Sequence, residues 1–326
     1  MKAEILALLR ESGAYISGQE LCERFGVTRT AVWKAVNQLK KEGYVIEAVQ
    51  NRGYKLIDRE GIYGKNELES RIRTKWAGRS VIFFRSIGST NVQARKEAEA
   101  GAVHGTLVAA DMQTAGRGRR GRDWASPEGT NLYFTIILRP DFQPEKASML
   151  TLVMAHSVVR AIQEEAGIRA YIKWPNDVVI NKKKVCGILT EMSMEVDHIH
   201  YVIIGAGVNV GEQEFAPQLR DKATDLVKEC GRPVSRSELL ARIMEYFEED
   251  YECFLRDGDL SGLLDSYNRM LVNRDAQVCV LDPLEEYTGT AKGITRKGEL
   301  LVVMEDGSER LVYAGEVSVR GIYGYV

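Results

Sequence analysis

Gly116-Arg117-Gly118-Arg119-Arg120-Gly121-Arg122, called the arginine loop below, is the stretch that decides between fold classes for this 326-residue chain. Its glycines form the pattern G-x-G-x-x-G, and Asp141 lies 20 residues after the last of them, as in a dinucleotide-binding fingerprint. A strand is predicted before the loop, but 123–129 contains a tryptophan, a proline and a glycine where that fingerprint requires a helix. The GKS or GKT ending of a P-loop is also missing from the sequence. The pattern therefore excludes a Rossmann unit and favours a mobile loop whose arginines bind an anion.

Strands and helices alternate on both sides of the arginine loop. Strand-like runs lie at 81–87, 106–110, 132–138, 170–174, 185–192 and 201–208, and helices are predicted at 92–100, 148–166, 236–255 and 260–270. Short turns such as Asn181-Lys182-Lys183 join neighbouring strands, which indicates a mixed or antiparallel sheet rather than a purely parallel one. The segment 272–326 is β-rich, with turns at Asp282-Pro283, Gly293, Lys297-Gly298 and Asp306-Gly307. A small β-barrel is the expected result.

Residues 1–57 have the pattern of a winged helix-turn-helix. After a first amphipathic helix, Ser17 and Glu20 form a capping box, and Thr28 caps a further helix. Two short helices joined by a glycine-containing turn are typical of a helix-turn-helix. Strands predicted at 44–48 and 54–57 enclose a turn with a basic tip, the wing.

The charge pattern adds to this interpretation. Lys and Arg number 44 and Asp and Glu 46, a balance that argues against a chain coated in base for bulk polyanion binding. The stretch 28–41 is nevertheless free of acidic residues. The candidate DNA contacts are Thr28, Arg29, Thr30, Lys34 and Arg52. The alternative is the solvated charged face of a structural helical domain.

Composition limits the class of protein. The 44% apolar content supports ordinary globular cores, and the length allows three domains, predicted at 1–60, 61–270 and 271–326. The five cysteines form no CxxC pair, the first residues do not form a secretory signal, and no run approaches the ~18 apolar residues of a membrane span. We expect a cytoplasmic protein with reduced thiols and no membrane contact.

Four further segments carry polar or small residues in unusual places. Lys173-Trp174-Pro175-Asn176-Asp177 ends a strand and is either an Asx turn or a ligand contact. Lys182-Lys183-Lys184 heads an apolar strand, so its last lysine could point inward or be solvated. Gly205-Ala206-Gly207-Val208-Asn209 leaves room for something packed closely against a buried strand. Ser89-Thr90-Asn91 is first of all an N-cap, although it could also present hydroxyls to a ligand.

In their order along the chain, these segments and 113–124 resemble those of the biotin–protein ligases. With the N-terminal helix-turn-helix, essentially the whole chain is similar to the bifunctional biotin ligases that also repress the biotin operon. The resemblance implies an α+β fold with a winged helix-turn-helix, a central mixed-sheet ligase domain with helices and a C-terminal SH3-like β-barrel. The sequence departs from the pattern of these ligases at two positions, with Cys186 where alanine is common and Asp225 where serine is usual. Both changes affect local packing rather than the reaction.

The resemblance also implies roles for individual residues. The biotin-binding positions are matched by Ser89, Thr90, Asn91, Gln113, Arg117, Gly118, Arg119, Lys184, Gly187 and Gly205. The positions that hold ATP or the adenylate are matched by Arg120, Arg122, Trp124, Asn176 and Asn209. Lys184, Arg119 and Asp177 match the catalytic group, in which Asp177 closes the site near the incoming lysine. No metal site formed by the protein itself is expected.

The implied reaction uses ATP and Mg²⁺ to convert biotin to biotinyl-5'-AMP and then to acylate a lysine of the biotin carboxyl carrier protein of acetyl-CoA carboxylase or a related carrier. Such chemistry needs no covalent enzyme intermediate, in agreement with the lack of a Ser-His or Cys-His pattern in a chain with four histidines. The adenylate-bound homodimer is expected to bind operator DNA. Three alternatives remain: a ligand-sensing repressor with a catalytically weak ligase-like core, a ligase with a vestigial DNA domain, and a lipoate ligase of related fold.

Overall fold

The described part of the chain contains three separate β-sheets of two, five and seven strands. The structure, a computed structural model, describes residues 1–57, 61–196, 198–281, 285–313, 318–321 and 325–326. Within these ranges, every helix is too short or too polar to span a lipid bilayer.

The N-terminal unit confirms the predicted winged helix-turn-helix. Its elements are α1 (Lys2–Ser12), α2 (Gly18–Phe25), α3 (Arg29–Lys41), β1 (Val45–Val49) and β2 (Gly53–Ile57). The Ser17 hydroxyl accepts a hydrogen bond from the backbone N–H of Glu20 at 3.0 Å, and Thr28 caps α3 in the same way. Apolar side chains from all three helices and both strands form a core of their own, which fixes α3 with its other face exposed.

The central unit is built on the seven-stranded sheet. Its elements are α4 (Lys65–Arg71), β3 (Val81–Ile87), α5 (Thr90–Glu99), β4 (Leu107–Gln113), β5 (Leu132–Leu138), α6 (Met149–Ala166), β6 (Tyr171–Lys173), β7 (Asp177–Ile180), β8 (Lys183–Glu195), β9 (His198–Val208), α7 (Leu226–Cys230), α8 (Arg236–Asp257) and α9 (Leu264–Met270). The strand order is β3-β4-β5-β9-β8-β7-β6, and β3 with β4 is the parallel pair among otherwise antiparallel neighbours. The mixed sheet is therefore confirmed.

Helices cover both faces of this sheet. All seven residues of β5 are buried, and Phe134 and Ile136 face the main core with α6 and α8, whereas Ile137 faces a smaller core under α5. An apolar run with no polar alternation is what a strand covered on both sides requires. The sheet is thus a rigid support whose strand ends carry the polar segments.

Two elements differ from the sequence-based expectation. β7 begins at Asp177, the last residue of the segment for which the sequence allows an Asx turn or a ligand contact, because the chain returns at once to pair with β6. The turn at Asn181 and Lys182 has positive φ at both residues, which suits a tight hairpin and starts β8 at Lys183. Lys184 consequently lies at the beginning of a central strand and not in a solvated loop.

A chain of charged side chains, the interdomain latch, connects the N-terminal and central units. Arg10 of α1 and Arg71 of α4 both bond to the carboxylate of Glu67, which is 3% exposed, and Arg71 also contacts Glu238 of α8. A buried carboxylate shared by two arginines satisfies its hydrogen-bonding capacity only in this orientation of α1 on α4.

The C-terminal unit is an antiparallel sheet of β10 (Gln277–Leu281), β11 (Glu286–Ile294), β12 (Leu300–Val303), β13 (Glu309–Val312) and β14 (Ser318–Gly321). The strand order is β13-β12-β11-β10-β14, and among the described residues the two edge strands do not pair, so the sheet is confirmed and a closed SH3-like barrel is not. The turn predicted at Gly293 is wrong, because this residue lies in β11 at a register shift. The turn predicted at Asp282-Pro283 lies outside the described residues.

Candidate active site

One cavity lies where the arginine loop crosses the ends of β8 and β9 and the N-terminus of α5. It brings together most of the site residues inferred from the sequence, namely Ser89, Thr90, Asn91, Gln113, Arg117, Gly118, Arg119, Trp124, Asn176, Lys184, Gly187 and Gly205. Arg120, Arg122, Asp177 and Asn209 do not line it. Asp177 nevertheless forms an ion pair with Lys184, which does line the cavity.

The end of the cavity at α5 is a hydrogen-bond network whose cavity-lining side chains are neutral. The backbone N–H of Thr90 and its hydroxyl donate to Gln113 Oε1 at 2.8 and 3.1 Å, and Gln113 Nε2 donates to Ser126. Thr135 Oγ1 lies 2.8 Å from Asn91 Oδ1, while Asn91 Nδ2 donates to Glu191. The cavity therefore offers fixed, uncharged polar groups at this end, suited to a neutral polar ring.

Ser89 and Asn91 add detail to the sequence interpretation. Ser89 occupies the N-cap position of α5, as predicted, but its side chain makes no capping bond. Asn91 shapes the wall, since its Oδ1 would lie 1.8 Å from a Cβ atom added at Gly205. Glycine at 205 is what allows Asn91 to pack against β9.

Two of the four arginines of the arginine loop, Arg117 and Arg119, line the cavity. Arg119 is half-buried and its Nη1 donates to Asn176 Oδ1 at 2.7 Å, whereas Arg117, Arg120 and Arg122 are exposed. The loop is closed by a hydrogen bond from Gly118 N–H to the Arg122 carbonyl at 2.7 Å. Burial lowers the pKa of Arg119, and Asp177 offsets part of that effect. A guanidinium remains charged under such conditions, so Arg119 supplies a positive charge.

Trp124 lies flat against β8 and β9. A Cβ atom added at Gly207 would lie 2.5 Å from Trp124 Nε1, and one added at Gly187 would lie 3.0 Å from the ring. This confirms the expectation that the glycines of the 205–209 segment make room for a close neighbour. Trp124 Nε1 is buried and has no hydrogen-bond partner among the described residues. A buried indole N–H without a partner is costly, and a ligand acceptor would satisfy it.

The charged end of the cavity is centred on Asp177. Lys184 Nζ lies 2.7 Å from Asp177 Oδ1, and the Tyr325 hydroxyl donates to the other carboxylate oxygen. Burial alone would raise the pKa of Asp177, but Lys184 and Lys173 outweigh it and hold the pKa below its usual range. Asp177 is therefore ionised, and Lys184 is held at the cavity wall by charge.

Lys173 and Tyr325 were missed as functional residues at the sequence level. Lys173 is 6% exposed, and its Nζ lies 3.6 Å from the centroid of the Tyr325 ring. The position of Lys173 just before Asn176 and Asp177 was an available signal for it. Tyr325 gave none, because 148 residues separate it from Asp177.

Lys173 is expected to lose its proton within an accessible pH range. Burial lowers its pKa to about 8, aided by Lys184 and opposed by Asp177, compared with ~10.4 for an ordinary lysine. Below about pH 8 Lys173 contributes a positive charge next to Asp177, and above it that charge is lost. Acetylation of Lys173, followed by mass spectrometry as a function of pH, should reach half of its limiting rate near pH 8. A midpoint near 10 would contradict this.

Asn209 and Asp225 support the back of the site. Asn209 is 5% exposed and its Nδ2 donates to the Thr224 carbonyl at 3.0 Å, which ties β9 to the segment before α7. Asp225 caps α7 by accepting from Lys228 N–H at 2.8 Å, so the departure from serine keeps a capping side chain. Cys186 is fully buried in the core, and its departure from alanine is accommodated there.

The candidate DNA surface is on the N-terminal unit. Thr28, Arg29, Thr30 and Lys34 are exposed at the start of α3, and Arg52 at the wing tip is exposed and stacks over the Tyr15 ring at 4.2 Å. Trp33, which the sequence interpretation did not include, is 57% exposed on the same face of α3.

Comparison with known proteins assigns the family. Residues 83–209 match the Biotin/lipoate A/B protein ligase family, 2–55 match an HTH domain and 277–320 match the biotin protein ligase C-terminal domain. The bifunctional ligase/repressor BirA of Bacillus subtilis is 38% identical over 98% of both chains. The chain belongs to the bifunctional ligase/repressor BirA family. The Escherichia coli member is 28% identical, covering 97% of this chain and 96% of its own.

Solved structures agree with this membership in the BirA family. A biotin protein ligase from Aquifex aeolicus, in complex with biotin and ATP, superposes with a TM-score of 0.66 at 31% identity. The match covers 74% of this chain and 99% of that one. That relative therefore binds both small molecules on a fold shared with most of this chain.

Proposed function

We propose that this chain activates biotin with ATP to biotinyl-5'-AMP and transfers the biotinyl group to a lysine of the biotin carboxyl carrier protein of acetyl-CoA carboxylase or a related carrier. The observation that carries the proposal is one cavity with a neutral polar end at Gln113 and a cationic end at Lys184 and Arg119. Biotin has the matching polarity, since its ureido ring is neutral and its carboxylate is charged. ATP, the second substrate, binds next to Trp124.

The first step joins two anions, so charge compensation is its main requirement. A carboxylate oxygen of biotin forms a bond to the α-phosphorus, and pyrophosphate leaves. Lys184 and Arg119 lower the repulsion between the carboxylate and the phosphates, and more so as charge shifts during attack. The arginine loop and Trp124 cover the adenylate and exclude water, which would hydrolyse a mixed anhydride.

The second step releases AMP. The amine of the carrier lysine forms an amide bond with the carboxyl carbon of biotin, the bond to the phosphate oxygen breaks, and the amine loses a proton. Asp177 is the ionised carboxylate near this end of the cavity, which suits a role beside the incoming lysine.

Mg²⁺ does not fit a site formed by this protein alone. The described residues contain no cluster of three or more His, Cys, Asp or Glu side chains, and Asp177 already contacts Lys184 and Tyr325. Mg²⁺ usually retains waters and binds through substrate phosphates with one or two carboxylates. We therefore assign Mg²⁺ to the phosphates of ATP.

Labelling a carrier domain tests the proposal directly. Incubation with biotin, ATP and Mg²⁺ should increase the mass of the carrier by one biotinyl group. No gain beside an active control ligase would contradict the ligase activity.

Substitution of Arg119 separates a ligase from a ligand-sensing repressor with a weak core. Because Arg119 links the loop to Asn176, we expect Arg119→Gly to release adenylate and to biotinylate unrelated proteins, as detected by streptavidin blotting. The matched control is Arg274→Gly, since Arg274 is exposed and does not line the cavity. A sensor would instead lose ligand affinity without labelling bystander proteins.

We further propose that the adenylate-bound protein forms a homodimer and binds operator DNA through α3 and the wing. The exposed Arg29, Lys34 and Arg52 support this proposal, as do the HTH-domain match of residues 2–55 and the similarity to the ligase/repressor BirA of Bacillus subtilis. Operator binding measured with and without biotin and ATP tests it. A vestigial DNA domain would show no ligand-dependent change.

We also propose that the protein acts in the cytoplasm, with domains at 1–60, 61–270 and 271–326. The five cysteines are all free, as is usual where thiols stay reduced. The three family matches fall one within each proposed domain.

A further inference from the structure

The C-terminal segment lies against the charged end of the candidate active site. Tyr325 donates a hydrogen bond to Asp177, and its ring lies under Lys173. Val326 packs against β14, where a Cβ atom added at Gly321 would lie 2.2 Å from the Val326 carbonyl carbon. The contact is therefore a tertiary one between the C-terminal sheet and the strands of the ligase domain.

The two oxygens of Asp177 have different partners. Oδ1 lies against Lys184 Nζ, and Oδ2 accepts from Tyr325. Burial and the charge of Asp177 raise the pKa of Tyr325, so its hydroxyl keeps the proton and is the donor of this bond. Oδ1 is held by the ion pair with Lys184 and Oδ2 by the hydrogen bond from Tyr325. Rotation of the carboxylate would break one of these contacts, so the bond to Tyr325 also determines where Lys184 lies.

We propose that Tyr325 is a positioning residue of this active site: its hydroxyl fixes Asp177 so that Lys184 stays at the cavity wall, and its ring seats Lys173. The proposal rests on the proposed function, in which Lys184 faces the biotin carboxylate and the α-phosphate. Tyr325 does not line the cavity and acts through Asp177. The C-terminal domain would thereby contribute to adenylate formation itself.

Two variants of the full chain separate the hydrogen bond to Asp177 from the ring contact with Lys173, and a third serves as the control. Tyr325→Phe removes the hydroxyl and keeps the ring, whereas Tyr325→Ala removes both. Tyr313→Phe is the matched control, because Tyr313 belongs to the same C-terminal unit and is 65% exposed. Equal unfolding midpoints by circular dichroism would show that the variants share the fold, and Tyr325→Phe decides the question if Tyr325→Ala does not fold.

The first readout is biotin-dependent exchange of pyrophosphate into ATP. We expect kcat to fall about tenfold in Tyr325→Phe, the size expected for one hydrogen bond to a charged group. The KM for biotin should stay within about twofold, since the neutral end of the cavity is untouched. A wild-type kcat, or a rise in KM at constant kcat, would overturn the proposal. Tyr313→Phe should match the wild type.

The second readout does not depend on activity. Trace labelling with acetic anhydride and mass spectrometry measures the reactivity of single lysines. We expect several-fold faster labelling of Lys184 in Tyr325→Phe with Lys173 unchanged, and faster labelling of both in Tyr325→Ala. Unchanged labelling of Lys184 would overturn the proposal. An inactive wild type with the expected labelling pattern would instead contradict the proposed function and leave the positioning contact established.

Discussion

Replacing Lys184 with glutamine is expected to lower the rate of adenylate formation about 10²–10³-fold, the range seen when one preorganised electrostatic donor is removed. Lys184 is the ammonium group that faces both the cavity and Asp177. Without it, the carboxylate of biotin and the α-phosphate approach each other with Arg119 alone as compensation. Glutamine is chosen because its amide can still donate to Asp177, so the buried carboxylate keeps a partner. Pyrophosphate exchange into ATP measures the effect.

The control for Lys184→Gln is Lys182→Gln on the same hairpin. Lys182 is exposed, and glutamine tolerates its positive φ no worse than lysine does. The control should keep wild-type exchange. If Lys184→Gln retained more than about a tenth of the wild-type rate, the role assigned to this ammonium group would be wrong. Equal losses in both variants would point to a disturbed hairpin instead.

Adding one methyl group at Gly207 is expected to raise the KM for ATP about 10- to 100-fold. The new Cβ atom would lie 2.5 Å from Trp124 Nε1, so the indole must leave its place on β9. Stacking of a base on an aromatic side chain contributes ~1–3 kcal/mol, which is the loss expected if Trp124 contacts adenine. Because the ring belongs to a loop side chain, it can move without unfolding the sheet. Steady-state kinetics with varied ATP measures the change.

A double-mutant cycle tests whether Gly207 acts through Trp124. Trp124→Ala should raise the KM for ATP by a similar factor, and adding Gly207→Ala should have little further effect. Gly64→Ala is the control, since a Cβ atom there meets nothing within 4 Å. Additive losses in the double variant would show that Gly207 acts independently of the indole.

The fold could be predicted from the sequence where local patterns determine structure. The capping residues Ser17 and Thr28 and the fully buried β5 lie where the sequence predicted a helix start or a strand. The short β7 could not be predicted, because its pairing with β6 outweighs the turn preference of Asp177, whereas Asn176 does lie in the turn between the two strands. Pairing is a tertiary effect that no local window contains.

The candidate site was predictable as a set of residues but not as an arrangement. The sequence indicated Lys184 and Asp177 separately, yet their salt bridge depends on the register of β7 against β8. The role of Asn91 of α5 as a wall of the cavity depends on Gly205, which lies on β9. Tyr325 could not be found at all, since no spacing rule relates it to Asp177.

The interdomain latch has a consequence for the geometry of DNA recognition. Arg10 and Arg71 share Glu67, whose side chain is 4% exposed, and buried pairs are screened by salt much less than exposed ones. Each winged domain is therefore held on its own ligase domain at ionic strengths that already weaken phosphate contacts. In the proposed dimer, the distance between the two recognition helices is then set by how the ligase domains associate. The spacing between the two half-sites of the operator would then be determined by how the ligase domains associate, and not by the length of the chain that joins each winged domain to its ligase domain.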